Sequence, residues 1–194
     1  GVHPHWQGRG IGLRLKLAQR EAILAQGMTD WVTWTYDPLY RPNGVFNIHR
    51  LGATCCTYAR DVYGAMQDAL NAGWPSDRCT VDWRLRSPHV LQDIAQPRPT
   101  PDWNLAAMLV PPVGSTAAGL AKPPDHELTP DGRPIAAPLP DDVAAIRRSD
   151  PGLALAWRFS MRQALEAAFA AGYVMVDCVH WPEHGWRYIL RLAV

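Results

Sequence analysis

The distribution of proline constrains this chain most strongly. Of its 18 prolines, 12 lie between Pro97 and Pro151. Proline has no backbone N–H and a fixed φ, so a proline content this high disfavours regular helices and strands. We therefore expect three parts: a folded unit over 1–93, a Pro-rich linker or surface excursion over 94–140, and a C-terminal segment over 141–194.

Before the prolines, helix and strand patterns alternate. Apolar residues recur at spacings of three and four from Ile11 to Ala25, which predicts a helix that Gly27 ends. The aromatic and β-branched run from Trp31 to Tyr36 predicts a buried strand. A short helix is expected over Gly44–Leu51, and further strands over Thr54–Tyr63 and Thr80–Leu85. A helix followed by a strand is also half of a βαβ unit, so the pattern predicts an α/β fold.

The C-terminal segment reads as a helix and two strands. Trp157, Met161 and Leu165 lie on one stripe of a helix predicted over Leu153–Ala171. Two strands, over Tyr173–His180 and Trp186–Leu192, are expected to form a hairpin. The predicted fold class is thus α/β (α+β), a mixed sheet flanked by helices with a C-terminal αββ segment.

Charge, hydropathy and cysteine content exclude several classes of protein. The 19 Lys and Arg residues nearly balance the 18 Asp and Glu residues, which argues against a nucleic-acid partner. No apolar run approaches the roughly 20 residues of a membrane span, so we expect no membrane partner. The four cysteines form no CxxC pair, which favours reduced thiols and a cytoplasmic location.

A glycine-rich stretch opens the first helix and is the most specific local signal. It consists of Gln7, Gly8, Arg9, Gly10, Ile11 and Gly12. Glycines let a ligand approach the backbone, and the free N–H groups of a helix N-terminus favour a pyrophosphate. A glycine-rich helix start without a ligand is the competing interpretation. The stretch is neither a Walker A loop nor a GxGxxG fingerprint.

Gln7, Gly10 and Gly12 match the Q/R-x-x-G-x-G/A signature of the GNAT superfamily of acyl-CoA-dependent N-acyltransferases, which this chain resembles over about Val2 to Val90. The helix, the aromatic strand and the short helix ending in RLGA follow that superfamily's order. WTYDPL, PNGVFNIHRLGA, YARDVYG, NAGWPSDR and the C-terminal αββ segment look like one poorly characterised acetyltransferase branch.

The resemblance implies an acyl-CoA-binding core over 1–93 and acetyl-CoA as the acyl donor. Gln7 to Gly12 would bind its pyrophosphate through backbone amides, with Arg9 either adding a charged contact or remaining solvated. The strand Trp31–Tyr36 would splay from its neighbour to admit the pantetheine arm. Asn43 or Asn47 would supply an amide side chain near the cofactor.

The same resemblance implies direct attack of an amine on the thioester, with one base and one acid. Many relatives place a Tyr just before the Gly that ends the short helix, but this chain reads Asn47 to Gly52 without a Tyr. His49 and Tyr58 are the remaining catalytic candidates, although His49 could merely cap the helix and Tyr58 could be packing. Trp34 and Tyr36 are expected beside the acceptor pocket.

Other polar clusters are interpreted as structural. His3 with His5, and Cys178 with His180 and His184, lack the further ligands of a metal site, so no metal is expected. Asp77 and Arg78 could form a loop ion pair or contact the substrate, and the ion pair is the expectation.

The predicted function is N-acyl transfer to a small-molecule or peptide amine. The alternatives are an inactive CoA-binding or regulatory module, and an interaction protein that uses Pro97–Pro140.

A sheet like that of the superfamily needs a strand immediately before the glycine-rich turn. Only Val2 to Trp6 are available to supply one. We therefore expect that a preceding segment belongs to a longer native protein, or that a neighbouring chain replaces it in a homodimer.

Overall fold

The computed structural model of the protein describes residues 2–64, 73–95 and 103–193. The helices are α1 (Ile11–Gln26), α2 (Arg41–Gly44), α3 (Pro88–Ala95), α4 (Val143–Ser149) and α5 (Pro151–Ala170). α2 continues directly into a π-helical segment, Val45–Arg50, and short 3₁₀ turns occupy Pro4–Trp6 and Leu105–Ala107. None of the helices in these ranges has the length and apolar character required to cross a membrane.

Eight strands form two sheets. They are β1 (Trp31–Tyr36), β2 (Thr54–Ala59), β3 (Arg78–Arg84), β4 (Gly114–Ser115), β5 (Ala121–Lys122), β6 (Ile135–Pro138), β7 (Tyr173–Trp181) and β8 (Gly185–Leu192). The main sheet has six strands in the order β1-β3-β2-β7-β8-β6, and β4 pairs with β5 in a small hairpin. Within the main sheet, β2 and β7 meet at one pair, Cys55 and Met175.

All strand pairs of the main sheet are antiparallel. The α+β class is therefore confirmed, whereas the expectations of a mixed sheet and of a βαβ unit are wrong for the described residues. β3 returns from β2 and inserts between β1 and β2, so it runs opposite to both neighbours. Before α1 the chain forms the turn Pro4–Trp6, so no strand precedes the helix there.

The local predictions before the prolines are largely confirmed. α1 ends where Gly27 adopts φ 69°, with its N–H donating to the carbonyl of Leu24. β1 has the predicted bounds, but it lies at the edge of the main sheet and is exposed at every second residue, so its predicted burial is wrong. The short helix begins three residues early, at Arg41, because Pro42 fits its first turn. β2 ends at Ala59, four residues before the predicted end.

The C-terminal αββ segment is confirmed and covers much of the core. Trp157, Met161, Leu165 and Ala168 form the predicted stripe of α5 and are buried. They belong to one hydrophobic cluster with residues of β1, β2, β3, β7 and β8. The hairpin β7–β8 then supplies half of the six-stranded sheet together with β6.

The proline-rich range contains part of this sheet. β6 pairs with β8, and Ile135 to Pro140 are all buried. The expectation of an irregular surface excursion is therefore wrong for these residues. β6 tolerates Pro138 because it lies at the edge of the sheet, where one side of the strand needs no N–H donor. The main sheet draws strands from all three of the predicted ranges.

Candidate functional site

The glycine-rich turn at the start of α1 is open. Gly8 and Gly10 have φ of 75° and 73°, and a Cβ at either position would meet no atom within 4 Å. Gly10 is the N-cap of α1, and no side chain caps the helix. The first N–H groups of α1 therefore lack a side-chain acceptor, which is the chemistry expected of an anion-binding helix start.

The residues flanking this turn are held locally. The amide Nε2 of Gln7 donates to the carbonyl of Val2 at 3.0 Å. The guanidinium of Arg9 lies 5.0 Å from the centre of the Trp6 ring. Both contacts shape the loop and leave its glycine backbone accessible, so the residues present fit a diphosphate.

A cleft of about 500 Å³ lies along α2 and the π-helical segment that follows it. It is lined by Arg41, Pro42, Val45, Phe46, His49, Arg50 and Trp186. Phe46 connects this cleft with the glycine-rich turn, because a Cβ added to Gly12 would lie 3.6 Å from Cζ of its ring. The structure therefore connects the predicted phosphate-binding turn and the cleft of the predicted catalytic residue His49 through Phe46.

His49 is oriented by a buried carboxylate. Its Nδ1 lies 2.8 Å from Oδ1 of Asp177, whose side chain is fully buried, while the His49 side chain is 18% exposed. Asp177 also accepts hydrogen bonds from Nε1 of Trp103 at 3.0 Å and from the backbone N–H of Cys178 at 2.9 Å. An ionised carboxylate can only accept a hydrogen bond, so Nδ1 of His49 carries the hydrogen and this arrangement favours the tautomer with the lone pair on Nε2.

The wide helical turn carries His49 to this position. Residues Val45–Arg50 are π-helical, and the N–H of Leu51 donates to the carbonyl of Phe46. Ile48 and Asn47 of the same segment are buried, whereas His49 reaches Asp177 on β7. Such π-helical segments recur at functional sites.

Tyr58 belongs to a different cluster. Its hydroxyl donates to Oδ2 of Asp77 at 2.6 Å, and Arg162 on α5 donates to both oxygens of the same carboxylate. Burial, followed by the bond to Asp77, raises the pKa of Tyr58 well above its usual range. Tyr58 thus shares no contact with His49, and its position favours a structural role.

Asp77 and Arg78 do not form the expected loop ion pair. The carboxylate of Asp77 pairs with Arg162, and Arg78 donates instead to the backbone carbonyl of Asp77. Burial would raise the pKa of Asp77, but hydrogen bonds from Arg162, from Tyr58 and from the N–H of Asp61 outweigh burial and lower it.

The residues expected near the cofactor and the acceptor differ in burial and in their hydrogen bonds. Nε1 of Trp34 donates to Oδ1 of Asn47 at 3.1 Å, so the buried Asn47 oxygen is already engaged. Asn43 is half-buried on α2. Tyr36 is 5% exposed, with its hydroxyl against the sulfur of Met175, which favours core packing over contact with an acceptor.

Lys16 lies across the aromatic residues of β1. Its Nζ is 3.3 Å from the centre of the Trp34 ring, which itself meets Trp83 edge-on at 5.8 Å. Burial lowers the pKa of Lys16. Nothing in the sequence pattern distinguished this lysine, because it occupies an ordinary position within α1.

Sequence reasoning also missed Asp177, Trp103 and Arg41. Asp177 looks like any strand residue, and it is 128 positions from His49. Within the described ranges, no three His, Cys, Asp or Glu side chains are grouped so that they could hold a metal ion. Comparison of the chain with known protein families, with curated proteins and with solved structures found no match.

Proposed function

We propose that this protein is an acyl-CoA-dependent N-acyltransferase of the GNAT type, which transfers an acetyl or other acyl group to an amine. One observation carries the proposal. Phe46 contacts the open glycine turn at Gly12 and also lines the cleft of His49, so a candidate phosphate site and a candidate base are neighbours.

The donor side of the proposal rests on the backbone. Residues Gln7 to Gly12 would hold the diphosphate of CoA through the N–H groups at the start of α1. β1 pairs with β3 over its whole length, so the expected splay between these strands is wrong, and the outer edge of β1 is the path we propose for the pantetheine arm. Leu85 N–H donates to the Asp30 carbonyl, so by the two-residue alternation of the ladder the N–H and C=O groups of Thr33 and Thr35 point away from β3.

The acceptor side rests on His49. Acyl-CoA would supply an activated thioester carbonyl when bound, and CoA thiol would leave. Asp177 holds Nδ1–H, so Nε2 of His49 is free to take the proton that the amine must lose. The same proton is then available to the leaving sulfur, so His49 serves as both base and acid. Tyr58 is not used in this scheme because Asp77 holds its hydroxyl.

Binding of the donor is tested by thermal or chemical unfolding. Acetyl-CoA at a hundredfold excess over Kd should stabilise the protein by about 2.7 kcal/mol. Gly10→Asp should abolish most of this, because it places a side chain and a negative charge beside the diphosphate. Gly119→Asp is the matched control, since Gly119 has φ 78° and equally open surroundings in the β4–β5 turn. Equal stabilisation of both variants would remove the turn from the donor site.

Catalysis is tested by release of free CoA thiol with a panel of amines. His49→Gln should lower kcat by about 10²- to 10⁴-fold, with acetyl-CoA binding unchanged. Asp177→Asn should act in the same direction, because an amide favours the wrong tautomer of His49. Binding of acetyl-CoA without turnover of any amine would favour the alternative, an inactive CoA-binding or regulatory module. The absence of a Tyr before Gly52 also favours that alternative.

A further inference from the structure

The acceptor cleft has an unusual charge distribution. Its lining contains Arg41, Arg50 and His49 together with Val45, Phe46 and Trp186, and no acidic side chain. Asp177 is fully buried and bonded to His49, and Arg50 donates to the backbone carbonyl of Asp93. A ligand in this cleft therefore meets the charge of Arg41 beside apolar walls.

Arg41 has a buried donor without an acceptor. Its Nε is buried without a hydrogen-bond partner, as is Nε of Arg158. The guanidinium of Arg41 lies 5.0 Å from the centre of the Trp186 ring, a cation–π contact that helps to orient it. A guanidinium carries five N–H donors, and at least the Nε–H of Arg41 is not satisfied by the protein.

Other arginines of the protein are treated differently. Arg158 and Arg162 each form two hydrogen bonds with one carboxylate, Asp37 and Asp77 respectively. The buried Arg187 donates to the backbone carbonyls of Pro111, Ala136 and His184. Although Nε of Arg158 is unpartnered, its two terminal nitrogens bind a carboxylate of the chain, whereas Arg41 lines an open cleft.

Arg41 and His49 face the same opening. Arg41, Val45 and His49 are spaced by four residues along one helical stretch, and all three line the cleft. A molecule bound there would thus reach the guanidinium with one end and Nε2 of His49 with the other. The cleft volume of about 500 Å³ suits a small molecule rather than a protein segment.

We infer that the acceptor is a small amine that also carries a carboxylate, which Arg41 binds while His49 accepts the proton of the amine. This inference rests on the proposed function for the role of the amine, but the carboxylate site itself does not. A planar guanidinium fork matches a carboxylate with two parallel hydrogen bonds. Trp186 would support the apolar part of the same ligand.

The carboxylate site is tested first without any reaction. Binding of 3-phenylpropionate and of its amide, 3-phenylpropionamide, is measured by calorimetry. The wild type should bind the carboxylate about 10- to 100-fold more tightly, the range expected for a charge-assisted pair. Arg41→Gln should reduce this preference to less than twofold, Arg41→Lys should retain part of it, and Arg86→Gln, at an exposed turn, should retain all of it.

The second measurement uses acetyl transfer to a matched pair of amines, 6-aminohexanoate and hexylamine, because the amine and the carboxylate of 6-aminohexanoate stand at opposite ends of the molecule. Arg41→Gln should raise KM for 6-aminohexanoate about tenfold more than it raises KM for hexylamine, whereas Arg86→Gln should change neither. If no amine is acetylated but the carboxylate preference holds, the proposed function fails and the anion site stands.

Three results would overturn the inference. The first is equal binding of the acid and the amide by the wild type, which needs no variant to fold. The second is an unchanged preference in Arg41→Gln. The third is a loss of CoA affinity in Arg41→Gln with carboxylate binding intact, which would assign Arg41 to the donor.

Discussion

Asp77→Asn tests the polar cluster that joins α5 to the sheet. The fully buried carboxylate accepts a hydrogen bond from Tyr58, two from Arg162 and one from the N–H of Asp61. Asparagine keeps one acceptor oxygen but turns an NH₂ group toward these donors. Breaking a buried pair by removing one partner costs about 3–5 kcal/mol.

The lower end of that range applies here. Arg162 is 14% exposed and retains Asp61, whose carboxylate lies 3.7 Å away, so its charge keeps some compensation. We expect Asp77→Asn to lower the free energy of unfolding by about 3 kcal/mol. Asp61→Asn is the control: Asp61 is 54% exposed, and its φ of 47° suits asparagine equally, so a change of at most about 1 kcal/mol is expected.

The assay is urea unfolding of the wild type and both variants as a function of pH. The folded-state pKa of Asp77 lies below its ordinary value of 3.8, so the stability it contributes is present above the unfolded pKa. It is lost as the pH falls through the folded value. The difference between wild type and Asp77→Asn should therefore be constant from pH 5 to 8 and shrink below about pH 4. A loss under 1 kcal/mol at pH 7, or a difference that grows on acidification, would refute this reasoning.

Two further changes test packing around the site. Gly44→Ala should destabilise the protein by about 2 kcal/mol, because the added Cβ would overlap the fully buried ring of Tyr188. Gly152→Ala, at the start of α5, is the control and should be neutral or slightly stabilising. The midpoints of urea unfolding distinguish the two variants. Trp34→Phe should lower the free energy of unfolding by about 1–3 kcal/mol, because the buried oxygen of Asn47 loses its donor. Trp31→Phe should lower it less, because Trp31 is exposed and donates to Asp82 at the surface. Equal losses of stability in the two variants would contradict a buried Trp34–Asn47 hydrogen bond.

The sequence predicted secondary structure correctly wherever a single short pattern of residues determines it. The apolar periodicity and the terminal Gly27 predicted α1, and the aromatic run Trp31–Tyr36 predicted β1 with its observed bounds. The αββ segment followed from the same kind of evidence. Each of these elements depends on interactions between residues a few positions apart. Such interactions can be predicted from a short window of the sequence.

The proline-rich range shows where composition misleads. Proline removes one donor per residue, and this excludes a central strand but not an edge strand. Whether Ile135–Pro138 lies at an edge depends on β8, whose residues come about 50 positions later. The antiparallel sheet likewise depends on β3 inserting between β1 and β2, which no window of the sequence contains.

The candidate site also has a part that the sequence predicted and a part that only the tertiary structure shows. The sequence alone marked the open glycine turn and His49 as residues suited to an anion and to a proton. The tertiary structure decided that Phe46 connects them, that Asp177 orients His49 from β7, and that Arg41 lies on Trp186 with its Nε unpartnered. These contacts join residues up to 145 positions apart, from Arg41 to Trp186, and such pairs are chosen by the order of strands and the packing of helices on them rather than by any local preference.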